Sequence, residues 1–195
     1  MPGRGRYHHG DLPAALVGAG LGLLGEVGPA GFSVAELARR VGVSTAAPYR
    51  HFGDRDRLLA AIATRAAAEL AAALQAAARD AGPDPAERLA AATGAYAGFV
   101  TAHGVGLDVV FTPALRRLDD EDLARAGRAV MDELIGLARE VRTSPAEALR
   151  LVEQLVALAH GYATLDRDGF LTADRVTDED TPTRATRAAR AMIGA

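Results

Sequence analysis

The stretch SVAELARRVGVSTAAPYRHFGDRDRLLAAI, residues 33–62, decides the fold. Its first part places apolar residues at positions i, i+3, i+4 and i+7, namely Val34, Leu37, Ala38 and Val41. That spacing is typical of one buried helix face. Gly42 follows, and glycine readily takes the left-handed backbone conformation that ends a helix and turns the chain. The stretch therefore predicts two helices joined by a tight turn, with the second free to enter a DNA major groove.

Pro48 limits where the second helix begins. Inside a helix a proline loses one backbone hydrogen bond and clashes with the carbonyl four residues earlier, but the first turn tolerates it. We therefore predict a short helix over residues 45–51, capped by Ser44 or Thr45. Its leading edge carries Ala46 and Ala47, which can contact only groove shape or a thymine methyl group. Hydrogen bonds to bases would then fall to Thr45 or Arg50.

Helix-start signals recur along the rest of the chain, and alternating strand patterns do not. Asp84-Pro85 and Ser144-Pro145 each combine a capping residue with a proline at the first helical position, Thr181-Pro182 repeats the pair, and Asp11 can cap a helix from Leu12. The prediction is an all-α fold. Its helices lie near residues 12–27, 34–41, 45–51, 54–80, 85–103, 107–117, 120–141, 145–165 and 182–193. Two domains are expected: residues 1–53, and residues 54–195 beginning with a long fourth helix.

Composition excludes several classes of protein. The chain has no cysteine, so disulfides, thiol catalysis and cysteine-bound zinc are ruled out. Residues 1–60 hold seven arginines against five acidic residues, a charge of +2, whereas residues 61–195 hold fifteen against twenty, a charge of −5. That asymmetry permits a nucleic-acid-binding N-terminal part. No signal-like run is present, and charged or polar residues interrupt the alanine-rich residues 60–78, so we expect a cytoplasmic protein without a membrane span.

The sequence resembles the tetracycline-repressor (TetR) family of bacterial transcription regulators. The resemblance rests on YHHGDLPAALVGAGLGLL and FSVAELARRVGVSTAAPYRHFGDRDRLL, residues 7–24 and 32–59. The family pattern is a capped helix, then Ala-x-x-x-Gly-Val-Ser, Tyr-x-His-Phe, and a charged turn leading to leucine. All of these elements are present from Ala38 to Leu58. The remaining chain resembles the family only in length and helical character.

This resemblance implies roles for individual residues in DNA binding. Residues of the second helix would contact the bases, the groove or phosphates: Ser44, Thr45, Ala46, Ala47, Tyr49, Arg50 and His51. Arg55 stands where a family lysine meets phosphate, and Ser33 would bind phosphate through its hydroxyl and helix N-terminus. Arg4 and Arg6 resemble basic arms that enter a minor groove.

The resemblance also implies a homodimer and a small-molecule effector of unknown identity. The dimer would form through helices near residues 145–165 and 182–193. Candidate pocket residues are aromatic, Met or His residues on the later helices: Tyr96, Phe99, His103, Phe111, Met131, His160 and Tyr162. The interpretation of these residues as ordinary core stays open. His160-Gly161 is similar to a Trp-His-Gly stretch in the C-terminal domain of one family branch, with Ala159 in the tryptophan position.

We therefore expect a repressor that binds a palindromic DNA operator as a homodimer and is released by its effector. The alternatives are an activator of the same fold, a helical adaptor that binds protein through its alanine-rich faces, and a helical enzyme using His103 or His160. No nucleophile motif accompanies those histidines, so no catalytic residue is assigned.

No metal or cofactor site is predicted either. His8-His9 lack a third ligand, and Phe170 and Leu171 replace residues that a calcium loop starting at Asp166 needs. The glycines near Gly18 lie within a helix, with no preceding strand to form a dinucleotide loop.

Overall fold

A computed structural model describes residues 11–171 and 179–194 of the chain. Over those residues the fold has ten helices and no strand, which confirms the all-α prediction. In chain order the helices are α1 (Leu12–Gly31), α2 (Val34–Val41), α3 (Ala47–Phe52), α4 (Arg55–Asp80), α5 (Pro85–His103), α6 (Leu107–Val110), α7 (Pro113–Arg116), α8 (Glu121–Val141), α9 (Pro145–Arg167) and α10 (Thr181–Ile193). We call α1–α3 the N-terminal unit and α5–α10 the larger unit. Arg4, Arg6 and His8-His9 lie outside the described residues.

Most predicted helices agree with the structure to within a few residues, but the prediction of one helix over 107–117 is wrong. The chain instead forms α6 and α7, separated at Phe111 and Thr112. Pro113 explains the break, because a proline has no amide hydrogen and disfavours helical backbone in the residue before it. Helix α1 also differs. It runs beyond residue 27, but Gly28, with φ 68° and ψ 173°, interrupts it.

The capping residues divide into those that act as predicted and those that do not. Asp11, Ser33 and Asp84 each accept hydrogen bonds from the first-turn amides of α1, α2 and α5. Ser144 precedes α9 but makes no side-chain cap. The cap of α10 is Asp180 rather than Thr181, since its carboxylate accepts from the amide of Thr183 at 2.9 Å.

The N-terminal unit is held together by a leucine-rich core that it shares with the start of α4. Leu16 and Leu24 of α1, Leu37 of α2, and Leu58 and Ile62 of α4 are at most 1% exposed. Full burial of such a side chain stabilises a fold by about 1.5–3 kcal/mol. The apolar stripe predicted for α2 therefore packs inward against this core.

Helix α5 lies centrally in the larger unit and contacts α4, α8, α9 and α10. Small residues allow this close packing. A Cβ atom added at Gly94 would lie 2.0 Å from Thr186 Oγ1 and 2.7 Å from the Pro182 carbonyl oxygen, so α10 crosses α5 where α5 has no side chain. The alanines of α4 serve a similar purpose toward α5 and α8, and six of them are buried: Ala60, Ala63, Ala66, Ala67, Ala71 and Ala78.

Two helices are apolar enough to match a membrane span by length and composition alone. They are α1 and α4, each with a mean hydropathy of 1.3 over its best window. The expectation of no membrane span stays a prediction, because charged residues interrupt both helices and the core helix of a soluble protein meets the same criterion. More than half of the α4 window is buried inside the fold, as in the core helix of a globular protein.

Candidate nucleic-acid interface and ligand cleft

The turn between α2 and α3 has the geometry that the sequence predicts. Gly42 ends α2 with φ 76° and ψ 32°, a left-handed conformation, and its amide donates to the carbonyl oxygens of Ala38 and Arg39. The amide of Val43 also donates to Ala38, at 3.0 Å. Two successive amides therefore close the end of the helix, which redirects the chain sharply into α3.

Helix α3 confirms the placement of Pro48 but not the predicted cap. Pro48 lies in the first turn and is buried, as expected. The residue at the cap is Ala46, and no side chain bonds to the first amides of the helix. Capping by Ser44 or Thr45 is therefore wrong. The backbone carbonyl of Ser44 accepts from the amide of Ala47 at 2.9 Å, so a tight turn precedes the helix and moves its start two residues later.

The outward surface of α3 carries polar side chains without intramolecular partners. Tyr49, Arg50 and His51 are exposed, Tyr49 by 48%. None of the three makes a side-chain hydrogen bond or an ion pair within the described part of the chain. The remaining predicted contacts surround them: Ser33, Ser44, Thr45 and Ala46 are exposed, and Ala47 is half-buried. Phe52 packs inward against the core. One short segment thus presents a phenol, a guanidinium and an imidazole to the outside.

Arg55, which is predicted to contact phosphate, also has partners within the chain. It is half-buried, and its guanidinium donates to the carbonyl oxygens of Phe32 (3.3 Å) and Pro29, and to the carboxylate of Asp56 (3.4 Å). Its donors therefore connect the start of α4 to the segment between α1 and α2. That segment leads directly to Ser33, so Arg55 positions the N-terminus of α2.

Two carboxylates neutralise the arginines at the end of α2. Arg40 donates to Glu26 of α1 through both terminal nitrogens, each at 2.7 Å, and to Glu36 through Nε at 3.0 Å. Arg39 donates two further hydrogen bonds to the Glu36 carboxylate. The hydrogen bonds from Arg39 and then Arg40 lower the pKa of Glu36 to about 2 from its usual 4.5. The bond from Arg40 likewise lowers the pKa of Glu26. These four residues tie α1 to α2.

An open cleft of about 570 Å³ lies between α5, α6, α8 and α9 in the larger unit. It brings together three of the predicted pocket residues, Tyr96, Met131 and His160. The Tyr96 hydroxyl accepts from the amide of Leu107 at 3.2 Å, and its ring centroid lies 6.5 Å from that of His160. The other lining residues, absent from the prediction, are Leu107, Val152, Glu153, Val156, Ala157 and Gly161. Several of them lie three to seven residues before His160 on α9, a helical spacing that could have revealed them.

The other four predicted pocket residues lie elsewhere. Phe99 and His103 form a pair with ring centroids 4.4 Å apart, and Phe99 is buried. Tyr162 is half-buried against the core. Phe111 lines a separate cavity of about 240 Å³ beside α7 and α8, together with Arg116 and Arg128.

The N-terminal unit meets the larger unit through backbone atoms. A Cβ atom added at Gly25 of α1 would lie 1.9 Å from the carbonyl oxygen of His103, and one added at Gly104 would lie 2.5 Å from the oxygen of Gly25. Arg167, at the end of α9, donates from Nη2 to that same Gly25 oxygen at 2.9 Å. We call Gly25, His103, Gly104 and Arg167 the glycine junction. Three helices converge there without an intervening side chain between the two glycines.

Residues that could hold a metal do not cluster in the part of the chain that is described. No group of three or more His, Asp or Glu side chains there has the required geometry. The described residues offer two candidate binding surfaces, a polar helix surface on one unit and a largely apolar cleft in the other.

Comparison with known proteins agrees with both units. A model of the N-terminal domain of bacterial regulatory proteins of the tetR family matches residues 16–62, and a tetracyclin repressor-like C-terminal domain model matches residues 89–192. These matches do not bear on the Trp-His-Gly branch, which stays a prediction. No protein of curated function matches the chain.

Solved structures are similar along almost the whole length. A Rhodococcus sp. RHA1 protein of unknown function has 32% identity and a TM-score of 0.74, over 97% of this chain and 98% of its own. A transcriptional regulator from the same organism has 26% identity and a TM-score of 0.67, over 94% of each chain. A tetR-family regulatory protein from Rhodococcus RHA1, at 18% identity and a TM-score of 0.69 over 93% of this chain and 95% of its own, shares the fold.

Proposed function

The chain belongs to the tetR family of bacterial regulatory proteins, and from that premise we propose that it is a homodimeric repressor released from its operator by a small molecule. It is a DNA-binding transcription regulator and not an enzyme. We place the DNA-binding domain at residues 1–53 and the effector and dimerisation domain at residues 54–195. A protein that acts on DNA in a bacterium works in the cytoplasm, which is the location we propose.

The observation that carries the proposal is the outward surface of α3. Tyr49, Arg50 and His51 are exposed and have no partner within the described residues. Their side-chain donors are therefore available to phosphate oxygens or base edges. Arg50 and Thr45 would contact bases, while Tyr49 and His51 would contact phosphates. The small side chains of Ala46 and Ala47 would let the backbone approach the groove closely.

The remaining proposed contacts flank this surface. Ser33 would bind a phosphate at the N-terminus of α2, where unpaired amides favour an anion. Arg4 and Arg6 would reach the minor groove. We assign Arg55 a supporting role, since its hydrogen bonds to Phe32 and Pro29 fix the segment before Ser33.

We propose that α9 and α10 form the dimer interface. Leu149 and Leu165 of α9 are 44% and 41% exposed, and a partner subunit packed along this helix would bury apolar side chains of this kind. A two-fold dimer would place two α3 helices about one DNA turn apart, which suits a palindromic operator.

The effector site of this proposal is the cleft beside Tyr96, Met131 and His160. Its volume of about 570 Å³ suits a small molecule. An effector that prefers a conformation with mis-spaced α3 helices must weaken DNA binding, and DNA must weaken effector binding by the same factor.

A gel-shift titration with the DNA upstream of the protein's own gene tests the central claim. Tyr49→Ala and His51→Ala should each weaken binding by about tenfold, because each removes a phosphate contact. Phe170→Ala is the matched control. It removes an aromatic ring that is 61% exposed outside the N-terminal unit, and it should bind like the wild type.

Two outcomes would contradict parts of the proposal. Unchanged affinity in both α3 variants would remove the assigned contacts. A transcription assay in which the bound protein raises expression from the same DNA would replace repression with activation.

A further inference from the structure

The charge of the cleft lining is unusual for this chain. The 22 cationic residues of the sequence are all arginines, yet no arginine is among the described residues that line the cleft. Among the described lining residues, Glu153 alone carries a formal charge when histidines are counted as neutral. The smaller cavity beside Phe111 is lined by two arginines and two aspartates, so its formal charges balance. Of the two cavities, only the cleft has an unbalanced negative charge among its described lining residues.

Glu153 has no counter-ion of its own. Its side chain is exposed at the cleft, and it makes no hydrogen bond or ion pair within the described part of the chain. Arg150, the nearest arginine on α9, does not line the cleft. The Tyr96 hydroxyl is already bonded to the amide of Leu107. Glu153 and His160 are the other polar side chains among the described lining residues.

The interior of the cleft is apolar. Leu107, Met131, Val152 and Val156 come from three helices and line it together. An apolar ligand body would bury itself against these side chains and gain about 25 cal/mol for each Å² removed from water. A carboxylate at the mouth would be repelled by Glu153, whereas an ammonium group would be attracted while still reached by solvent.

We infer, on the basis of the proposed function, that the effector is an amphipathic cation. Its apolar body lies between α6, α8 and α9, and its positive end lies beside Glu153. The cleft is thus selective against anions of the same shape.

Three probes with the same ten-carbon chain test the ligand class: decyltrimethylammonium, 1-decanol and decanoate, each below its micelle concentration. Calorimetric titration of the full-length protein should give affinities in the order cation, alcohol, carboxylate. Glu153→Gln should weaken cation binding by about fivefold, as expected for a partly exposed ion pair, and leave the alcohol unchanged. An alcohol or carboxylate that binds wild-type protein as tightly as the cation overturns the assignment.

A glycine pair tests the location. An added Cβ atom at Gly161 or at Gly136 would meet no atom within 4 Å, so both sites tolerate a side chain, but only Gly161 lines the cleft. Gly161→Leu should fold normally and lose at least tenfold in affinity for the cation and the alcohol, while Gly136→Leu should bind both normally. Normal binding by Gly161→Leu overturns the assigned site.

Operator binding without any probe is measured on the same preparations. Specific DNA binding together with a reversed probe order would overturn only the ligand class. Failure of the wild-type protein to bind operator DNA specifically would overturn the proposed function itself.

Discussion

Gly22 and Gly25 lie within one turn of α1, yet an added Cβ atom would have opposite effects on stability at the two positions. A Cβ atom at Gly22 would meet nothing within 4 Å, whereas one at Gly25 would lie 1.9 Å from the carbonyl oxygen of His103. Gly25→Ala should therefore lower the free energy of unfolding by about 1–3 kcal/mol, as overpacking does. Gly22→Ala, the control, should raise it by about 0.5–1 kcal/mol, because alanine is the better helix former. Urea titrations of both variants measure this, and equal effects would remove the steric account of the glycine junction.

The pairing of Glu36 with Arg39 and Arg40 makes stability depend on acid. The pKa of Glu36 is held at about 2, below the usual 4.5. A carboxyl group with a lowered pKa stabilises the fold above pH 4.5, and that contribution is lost as the pH falls from 4.5 toward 2. Glu36→Gln should therefore flatten the fall in melting temperature between pH 6 and pH 3.

Glu133→Gln is the control for this pH series. The Glu133 carboxylate makes no hydrogen bond or ion pair in the described part of the chain. Its replacement should leave the acid dependence as steep as in the wild type. A Glu36→Gln profile that coincides with the wild-type profile would show that the arginine pair contributes nothing.

At the scale of helices, start signals that look alike in the sequence differ in the capping hydrogen bonds that they make. Asp84 of α5 accepts from the amides of Ala86 and Glu87, whereas Ser144 of α9 accepts from none. Asp84→Ala should lower the free energy of unfolding by about 1 kcal/mol, the usual value of a side-chain cap. Ser144→Ala should change it by less than half as much, and chemical denaturation compares the two. A larger loss at Ser144 would contradict the cap assignment.

The helices could be predicted from sequence because their signals are local. The stripe from Val34 to Val41, the bend at Gly42 and the early position of Pro48 all act within a few residues, and each prediction is confirmed. Pro113 is a local signal too, yet the predicted helix over 107–117 runs across it. Backbone chemistry at the proline separates α6 from α7.

Parts of the candidate site could not be predicted, because they depend on contacts distant in sequence. Arg55 bonds to Pro29, 26 residues earlier, which no local pattern reveals. The cleft is lined from α5, α6, α8 and α9, so spacing within one helix cannot say which aromatic residues share it. Tyr96 and His160 meet there, while Phe99 and His103 pair elsewhere.

At the scale of the molecule, Arg167 joins the far end of α9 to the N-terminal unit. Its guanidinium donates to the Gly25 oxygen at 2.9 Å, and His160 of the cleft lies two helical turns earlier on α9. Arg167→Ala should speed hydrogen–deuterium exchange in α1 around Gly25 by about fivefold, since a typical hydrogen bond contributes about 1 kcal/mol.

Arg150→Ala serves as the control for that exchange measurement. Arg150 is exposed on the same helix and has no partner within the described residues. Its removal should leave exchange in α1 unchanged. Equal exchange in wild type and Arg167→Ala would mean that the guanidinium does not hold the two units together.

The glycine junction also limits how this protein can be recombined with its relatives. Because the contact is made by the main chain at Gly25 and Gly104, no choice of neighbouring side chains can restore it once either position carries a Cβ atom. A hybrid regulator built from this N-terminal unit and a foreign effector domain would need glycine at both positions and a donor in place of Arg167. Without them, the two halves of the hybrid could not form this close main-chain contact.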